Sequence, residues 1–170
     1  KGTFYYVMEH LRGVDLSWML RRFGPLPAER VAYFMRQACR SLHEAHSVGL
    51  VHRDVKPANL FVCKLGLEFD FLKVLDFGVV KGVLGEQDVQ VTNVKEGVPG
   101  TPATMAPETA VGSTDTDLRV DIYALGCVAM HLLTGKNPFV AEDSTSTLMR
   151  HVTFTPKKPS EYLNMTLPKG

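Results

Sequence analysis

The spacing of apolar residues divides the chain into segments that predict strands and segments that predict helices. Residues 3–9 (TFYYVME) are rich in aromatic and β-branched types, a composition that favours a β-strand. Arg12 and Gly13 are expected to end this strand. Residues 15–20 (DLSWML) then predict a short helix, which stops at Gly24-Pro25.

A longer helix is predicted from about Pro27, because proline favours the first turn of a helix. Its apolar residues recur at steps of three and four, which places them in one buried stripe. They are Val31, Phe34, Met35, Ala38, Cys39, Leu42 and Ala45. Two short strands follow, around residues 60–63 and 71–75, and Gly66 lies in the turn between them.

The second half of the chain contains a long stretch without periodicity. It runs from Gly78 to Thr104, and a loop of this length in a compact unit is usually functional. Residues 120–133 are almost wholly apolar, which predicts a helix buried on all sides. One more short helix is predicted at residues 143–152, and residues 156–170 are expected to be irregular.

Composition narrows the classes of protein that fit this pattern. The 170 residues are 45% hydrophobic and 22% charged, which suits one globular unit, and the net charge of +1 gives no sign of a nucleic-acid or anionic membrane surface. No apolar run has the length of a membrane span, and we expect no signal peptide in this segment. Cys39, Cys63 and Cys127 match no metal-ligand spacing, so we expect reduced, buried thiols and a cytoplasmic location.

Polar side chains with complementary chemistry occur together at residues 52–59 (HRDVKPAN). Pro57 is incompatible with a helix interior, so this segment is predicted to be a loop whose side chains converge on one point. Asp54 could orient and finally deprotonate a hydroxyl group, and Lys56 could neutralise a phosphate during its transfer. Taken alone, an aspartate in a loop is more often a cap or turn residue.

A second carboxylate follows in Asp76-Phe77-Gly78, directly after a hydrophobic strand. Asn59 and Asp76 would then offer oxygen ligands at the ends of adjacent strands, and such ligands suit Mg²⁺. Each motif alone could be an ordinary turn. Their order and spacing together favour a functional interpretation.

These motifs together resemble the eukaryotic-type protein kinase family. The resemblance extends from residue 3 to about residue 155 and includes four further segments. They are Gly100-Thr101-Pro102, Ala106-Pro107-Glu108, residues 121–126 (DIYALG) and residues 133–139 (LTGKNPF). Tyr123 and residues 73–78 (KVLDFG) are more similar to bacterial than to animal members. The resemblance implies an α+β, protein-kinase-like fold with a mainly helical C-terminal lobe and short β-hairpins.

The same resemblance implies that residues 1–170 are part of one kinase domain. It has a hinge at residues 8–15, a catalytic loop at 52–59, an activation segment at 76–108 and an anchoring helix at 120–134. The family's Gly-rich loop, strand lysine and partner glutamate have no counterpart in the chain. We therefore expect the N-terminal lobe and the last C-terminal helices to lie outside it, and the isolated chain to be unstable and inactive.

The resemblance also implies roles for individual residues. Asp54 would be the catalytic residue and Lys56 would contact the transferred phosphate, while the hydroxyl of Thr101 would bridge the two. Asn59 and Asp76 would hold the metal ion. Five residues are implied in nucleotide binding: Met8 behind the adenine, Glu9 and Leu11 through their backbone, Asp15 near the ribose and Phe61 under the adenine ring.

Regulatory and structural roles follow by the same resemblance. Arg53 would bind a phosphate on the activation segment, and Thr92 is the hydroxyl residue between Gly78 and Gly100 that could carry it. Thr104 stands where the family usually has tyrosine, so looser packing is expected there. Structural roles are implied for His52, Phe77, Gly78, Glu108 and Asp121.

The function implied by the resemblance is ATP-dependent phosphorylation of Ser and Thr hydroxyls on proteins. ATP with Mg²⁺, or alternatively Mn²⁺, would be required, and Lys56 with Thr101 is the pattern of Ser/Thr rather than tyrosine kinases. Expected partners are a protein substrate and a second copy for autophosphorylation. No nucleic-acid contact and no membrane contact are expected in this segment. The parent protein could be membrane-anchored elsewhere. Two alternatives stay open: a pseudokinase that only binds, and a small-molecule kinase of related fold.

Overall fold

The computed structural model describes residues 7–77, 100–113 and 116–163. Its strands are β1 (Gly13–Asp15), β2 (Leu60–Leu65) and β3 (Glu68–Val74). Its α-helices are α1 (Leu16–Phe23), α2 (Ala28–Ser47), α3 (Pro107–Ala110), α4 (Arg119–Thr134), α5 (Ser144–Thr153) and α6 (Pro159–Leu163). Short 3₁₀ turns cover Pro57–Asn59 and Pro102–Thr104. This mainly helical arrangement with one small sheet confirms the predicted α+β class.

The three strands form an antiparallel sheet in the order β1-β2-β3. Val62 in the central strand is buried and faces the hydrophobic core. The neighbouring row contains Asp15, Phe61 and Lys73, which are directly paired across the three strands. Because successive side chains of a strand alternate between its faces, this row lies on the face opposite the core.

Helices α1, α2 and α4 share one hydrophobic core with the sheet. Its fully buried members include Leu16, Phe34, Ala38, Leu42, Leu60, Val128 and Leu132. The Leu26 N–H donates a 2.8 Å hydrogen bond to the carbonyl of Leu132, which fastens the α1–α2 connection to α4. Gly135 ends α4 at φ +71°, and a Cβ there would lie 3.2 Å from the Pro25 ring, so this position favours glycine.

The β2–β3 hairpin is fastened to α2 by side chains. Arg30 binds both carboxylate oxygens of Asp70 at 2.8 Å. The Gln37 amide nitrogen donates to the Asp70 carbonyl at 2.9 Å, and its oxygen accepts from the Leu72 N–H at 3.0 Å. Asp70 has φ +58°, a conformation that costs energy for a residue with a side chain. The contacts with α2 hold it there.

Most predicted elements are confirmed to within three residues at each end, but the first strand is not. Residues 7–9 form no strand, and residues 3–6 lie outside the described part of the chain. The first described strand is instead β1, where Gly13 was expected to break the chain. A Cβ at Gly13 would lie 2.0 Å from the carbonyl oxygen of Val62. Glycine therefore allows β1 and β2 to approach closely instead of ending a strand.

Three further expectations were wrong. Helix α6 forms in the segment expected to be irregular, and it begins at Pro159, where proline is compatible with a first helical turn. Cys39 is exposed, because it lies next to Ala38 on α2 and so about 100° around the helix from the buried stripe. Helix α4 is not buried on all sides, since Ile122 is 48% exposed.

No helix in the described ranges is long and apolar enough to cross a membrane.

Candidate active site

The loop that follows α2 is held by a buried carboxylate of α4. Asp121 is 1% exposed, and its two oxygens accept hydrogen bonds from the backbone N–H groups of His52 and Arg53, both at 2.8 Å. The His46 ring donates a third, also at 2.8 Å, to Oδ2. A buried carboxylate is stable only when its oxygens are paired in this way. Asp121 thus fixes the start of the loop and holds Arg53 at φ +64°.

His52 connects this loop to the segment that follows β3. Its Nε2 lies 2.8 Å from the carbonyl oxygen of Leu75. Because a carbonyl can only accept, Nε2 carries the hydrogen, and Nδ1 accepts from the Asp54 N–H at 3.2 Å. The ring also packs against that of half-buried Phe77, with 4.8 Å between the ring centroids. His52 therefore positions both motifs that carry the candidate carboxylates.

The structure brings Asp54, Lys56, Asn59 and Thr101 into one polar cluster. The Thr101 hydroxyl donates to Asp54 Oδ1 at 2.8 Å, and Lys56 Nζ donates to Oδ2 at 2.6 Å. The Asn59 amide nitrogen donates to the Asp54 backbone carbonyl at 2.9 Å and approaches Oδ2 at 3.4 Å. Asp54 thus links Lys56 to Thr101, and about 30% of its side chain and of the Lys56 side chain remains open to solvent.

The two predicted metal ligands lie on neighbouring segments. The Leu75 N–H donates to the Asn59 carbonyl at 2.8 Å, one residue before Asp76. Asp76 is exposed and has φ +56°, so its carboxylate is accessible from solvent. Asn59 contacts Asp54 through its amide nitrogen, so its side-chain oxygen would be the atom that binds a cation. One amide oxygen and one carboxylate fit a hard divalent ion that takes its remaining ligands from phosphate and water.

Of the five predicted nucleotide-binding residues, the structure places Asp15 and Phe61 on the sheet face turned away from the core and Glu9 in contact with that face. Asp15 and Phe61 are paired across β1 and β2 on that face, and Leu11 is half-buried just before it. Met8 is 80% exposed. Glu9 forms an ion pair with Lys73 of β3.

Asp15 also has a structural role, because its carboxylate accepts from the Trp18 N–H at 2.7 Å as the N-cap of α1. This contact uses one of the two carboxylate oxygens, Oδ1. The role of Asp15 as a helix cap is therefore compatible with its predicted role as a nucleotide ligand.

Of the four remaining predicted residues, Arg53 and Glu108 lie in the described part of the chain. Arg53 has an exposed side chain and lines a cavity of about 300 Å³ together with Asp54 and Thr101. Glu108 is half-buried in α3, and its backbone carbonyl accepts from the Ser113 N–H. Gly78 and Thr92 lie outside the described residues.

An uncharged cluster packs against the 3₁₀ turn at Pro102–Thr104. The Tyr123 hydroxyl lies 2.8 Å from His151 Nδ1, and the His151 ring packs on Phe139 with 4.3 Å between centroids. Burial raises the pKa of Tyr123 and raises the pKa of the adjacent Cys127 thiol to about 12. Burial also lowers the pKa of His151, an effect that the nearby Pro102 backbone opposes. These groups are therefore neutral near pH 7.

The sequence analysis missed two residues that contribute to the site and one cluster beside it. His46 is the third hydrogen-bond partner of Asp121. The sequence feature that could have revealed it is its spacing of six residues from His52. Lys73 shares the sheet face with Phe61 and binds Glu9, but its side of the sheet depends on the strand register. The uncharged cluster around Tyr123 was also missed, because its members are far apart in sequence.

Comparison with known proteins places these features in a family. Residues 1–165 match the family model described as protein kinase domain. A probable serine/threonine-protein kinase of Corynebacterium efficiens is 36% identical over 160 residues, which is 94% of this chain and 23% of that protein. Serine/threonine-protein kinase pkn3 of Myxococcus xanthus is 38% identical over 159 residues, 94% of this chain and 29% of that protein.

Serine/threonine-protein kinase PknB of Mycobacterium leprae is also similar, at 35% identity over 157 residues. These residues make up 92% of this chain and 24% of that protein. The chain thus corresponds to between 23% and 29% of the length of these three relatives.

Proposed function

The chain belongs to the protein kinase family, and we propose that it supplies the catalytic loop of an enzyme that phosphorylates Ser and Thr hydroxyls of proteins with ATP. The observation that carries the proposal is the polar cluster around Asp54. One carboxylate is held by Thr101 on one oxygen and by Lys56 on the other. This arrangement presents a base beside a cation, which phosphoryl transfer to a hydroxyl requires.

In the proposed reaction, the substrate hydroxyl oxygen bonds to the γ-phosphorus while the bond from that phosphorus to the ADP oxygen breaks. The hydroxyl proton goes to Asp54. Lys56 neutralises the negative charge on the transferred group, and it is already within 2.6 Å of Asp54. Asn59 and Asp76 would hold Mg²⁺, which when bound neutralises phosphate charge.

The preference for Ser and Thr is assigned to Thr101 and Lys56. The hydroxyl of Thr101 fixes the Asp54 carboxylate from the side opposite Lys56, so the carboxylate has one orientation. The hydroxyl of serine or threonine is carried on a short side chain, so it must come close to this carboxylate to react. The serine/threonine kinases among the relatives support this assignment.

The first test is Asp54→Asn in the natural polypeptide that contains this chain. We expect a loss of transfer of at least about a thousandfold, because general-base catalysis and hydroxyl orientation are both removed. Nucleotide affinity should change less than twofold. Asp117→Asn, an equal change at a carboxylate paired with Arg119 outside the cluster, is the matched control and should leave the rate unchanged.

Two outcomes would reject the proposal. Transfer by Asp54→Asn at the parent rate would show that Asp54 is not the catalytic residue. A parent protein that binds Mg-ATP but transfers no phosphate would instead be a binding module on the same fold.

The acceptor residue is tested by mass spectrometry of the phosphorylated products. We expect phosphoserine and phosphothreonine, and Thr101→Ala should lower kcat by about tenfold or more because Asp54 loses a charge-assisted hydrogen bond. A product map dominated by phosphotyrosine would contradict the assignment.

Regulation and partners follow the same proposal. A phosphate on Thr92 would bind the exposed guanidinium of Arg53, since arginine is well suited to phosphate. Thr92 lies outside the described residues, so this pairing is a prediction from sequence. Autophosphorylation between two copies, a cytoplasmic location and the use of Mg²⁺ or Mn²⁺ are also predictions.

A further inference from the structure

Lys73 of β3 extends its side chain over the outer face of the sheet. It is directly opposite Phe61, which is in turn opposite Asp15. Directly paired residues of antiparallel strands have Cβ atoms about 4.5–5.5 Å apart, so the side chains of Lys73 and Phe61 leave the sheet next to each other. Its ammonium group forms an ion pair with the Glu9 carboxylate.

The ion pair connects two parts of the chain that are 64 residues apart. Residues 7–12 have no regular secondary structure, and Val7 and Met8 are 88% and 80% exposed. Such a segment has few apolar contacts to hold it. A polar contact from the sheet therefore restricts where the segment lies.

We propose that Lys73 is a positioning residue of the nucleotide site, which holds Glu9 and thereby fixes residues 8–11 over the sheet face that contains Asp15 and Phe61. This inference rests on the proposed function, because the position of residues 8–11 affects nucleotide affinity only if the protein binds ATP. Lys73 acts through Glu9, not on the phosphates. An ordered segment does not have to be ordered again when the nucleotide binds, so the contact increases affinity and leaves the chemical step unchanged.

The expected effect is modest, because the Lys73 and Glu9 side chains are 27% and 62% exposed. Exposed ion pairs are screened by water and usually stabilise by less than a factor of about five. Lys73→Met keeps an apolar side chain next to that of Phe61 and removes the charge. In the natural polypeptide it should raise the Kd of Mg-ATP about three- to fivefold, with kcat changed less than about twofold.

Lys64→Met is the matched control. Lys64 lies on β2 in the same sheet, but its ammonium group is 4.8 Å from the centroid of the exposed Phe69 ring in the hairpin. This substitution should leave the Kd of Mg-ATP unchanged. Lys73→Glu should weaken binding further than Lys73→Met, and adding Glu9→Lys to it should bring the Kd back to within about twofold of the parent value.

Hydrogen exchange of the nucleotide-free protein tests the positioning step directly. Backbone amides of residues 8–11 should exchange faster in Lys73→Met than in the parent and in Lys64→Met. Equal exchange in all three proteins, an unchanged Kd in Lys73→Met, or no recovery in the charge-exchanged double variant would each overturn the inference.

The two proposals fail in different ways. A parent protein that binds Mg-ATP without transferring phosphate would reject the proposed kinase function, and the Kd comparison would still decide the role of Lys73. A parent protein that binds no nucleotide would overturn the positioning role as well.

Discussion

The carboxylate of Asp54 receives hydrogen bonds from side chains that are near it in sequence and from one that is far away. Lys56 and Asn59 lie within five residues of it, and Pro57 makes the intervening chain a loop, so their convergence could be predicted from the sequence. Thr101 is 47 residues distant. Periodicity and spacing contain no information about that contact, and only the resemblance to a family predicted it.

Metal binding is the first prediction at the scale of single residues. Asp76→Asn in the natural polypeptide should raise the Mg²⁺ concentration needed for half-maximal rate by about tenfold or more, because a neutral amide is a weaker ligand for a hard cation than a carboxylate. The measurement is the transfer rate as a function of Mg²⁺ at saturating ATP. Asp117→Asn serves again as the control, and an unchanged Mg²⁺ requirement in Asp76→Asn would exclude Asp76 as a ligand.

At the scale of elements, the buried carboxylate of α4 determines the shape of the loop after α2. Asp121→Ala would leave the His52 and Arg53 N–H groups without their acceptor, and His46 would lose its partner as well. Removing one partner of a buried charged network costs about 3–5 kcal/mol. We expect a loss of this size in urea unfolding of the natural polypeptide, together with a lower kcat.

The control for this variant is Asp117→Ala. Asp117 is 51% exposed and pairs with Arg119 near the start of the same helix. Its removal should cost much less stability than that of Asp121, because exposed ion pairs are screened by water. Equal losses of stability in the two variants would show that Asp121 is not the anchor of the loop.

The strand register shows where the sequence was insufficient at this scale. Counting outward from the hairpin pair Leu65–Glu68 would place Phe61 opposite Leu72. The observed partner of Phe61 is Lys73, because the register shifts between Cys63 and Leu65. A shift of one residue moves a side chain to the other face of a sheet, so the outward position of Lys73 depends on this bulge. Apolar alternation alone could not locate it.

The histidines packed between helices give a prediction about pH. Burial lowers the pKa of His131 and of His151 below the ordinary value of 6.5. Well above pH 6.5 both histidines are neutral in the folded and in the unfolded protein, so they add no pH dependence there. As the pH falls below 6.5, the unfolded state binds more protons than the folded state, so folding becomes less favourable until the folded pKa values are reached.

Urea unfolding of the natural polypeptide at pH 7.5 and at pH 5.5 measures this effect. His151→Gln removes one of the two groups and should reduce the loss of stability between these pH values. His43→Gln, at an exposed position on α2, should leave the loss unchanged. The same pH dependence in all three proteins would exclude His151 as a source of acid sensitivity.

At the scale of the whole molecule, the fold class followed from the family resemblance more than from periodicity. Helices α2 and α4 were predictable because each has a clear apolar pattern. Strand β1 was not, because three residues beginning with glycine have little intrinsic preference for a strand and depend on pairing with β2. Helix α6 has only five residues and is likewise below the length that sequence patterns detect.

The last prediction concerns a polypeptide that consists only of these 170 residues. Met8 and Asp76, two of the residues expected to contact Mg-ATP, are exposed. The family resemblance implies that these residues, with Lys56 and Asn59, would supply only part of the contacts to the nucleotide. A ligand with affinity for the folded state stabilises by about 2.7 kcal/mol at a hundred times its Kd. We expect no increase in Tm of the 170-residue polypeptide at millimolar Mg-ATP, whereas the natural polypeptide should melt at a higher temperature under the same conditions. Differential scanning fluorimetry of both, with and without EDTA, makes the comparison. A cooperative melt of the shorter polypeptide that moves upward with Mg-ATP would mean that these 170 residues suffice to bind the nucleotide.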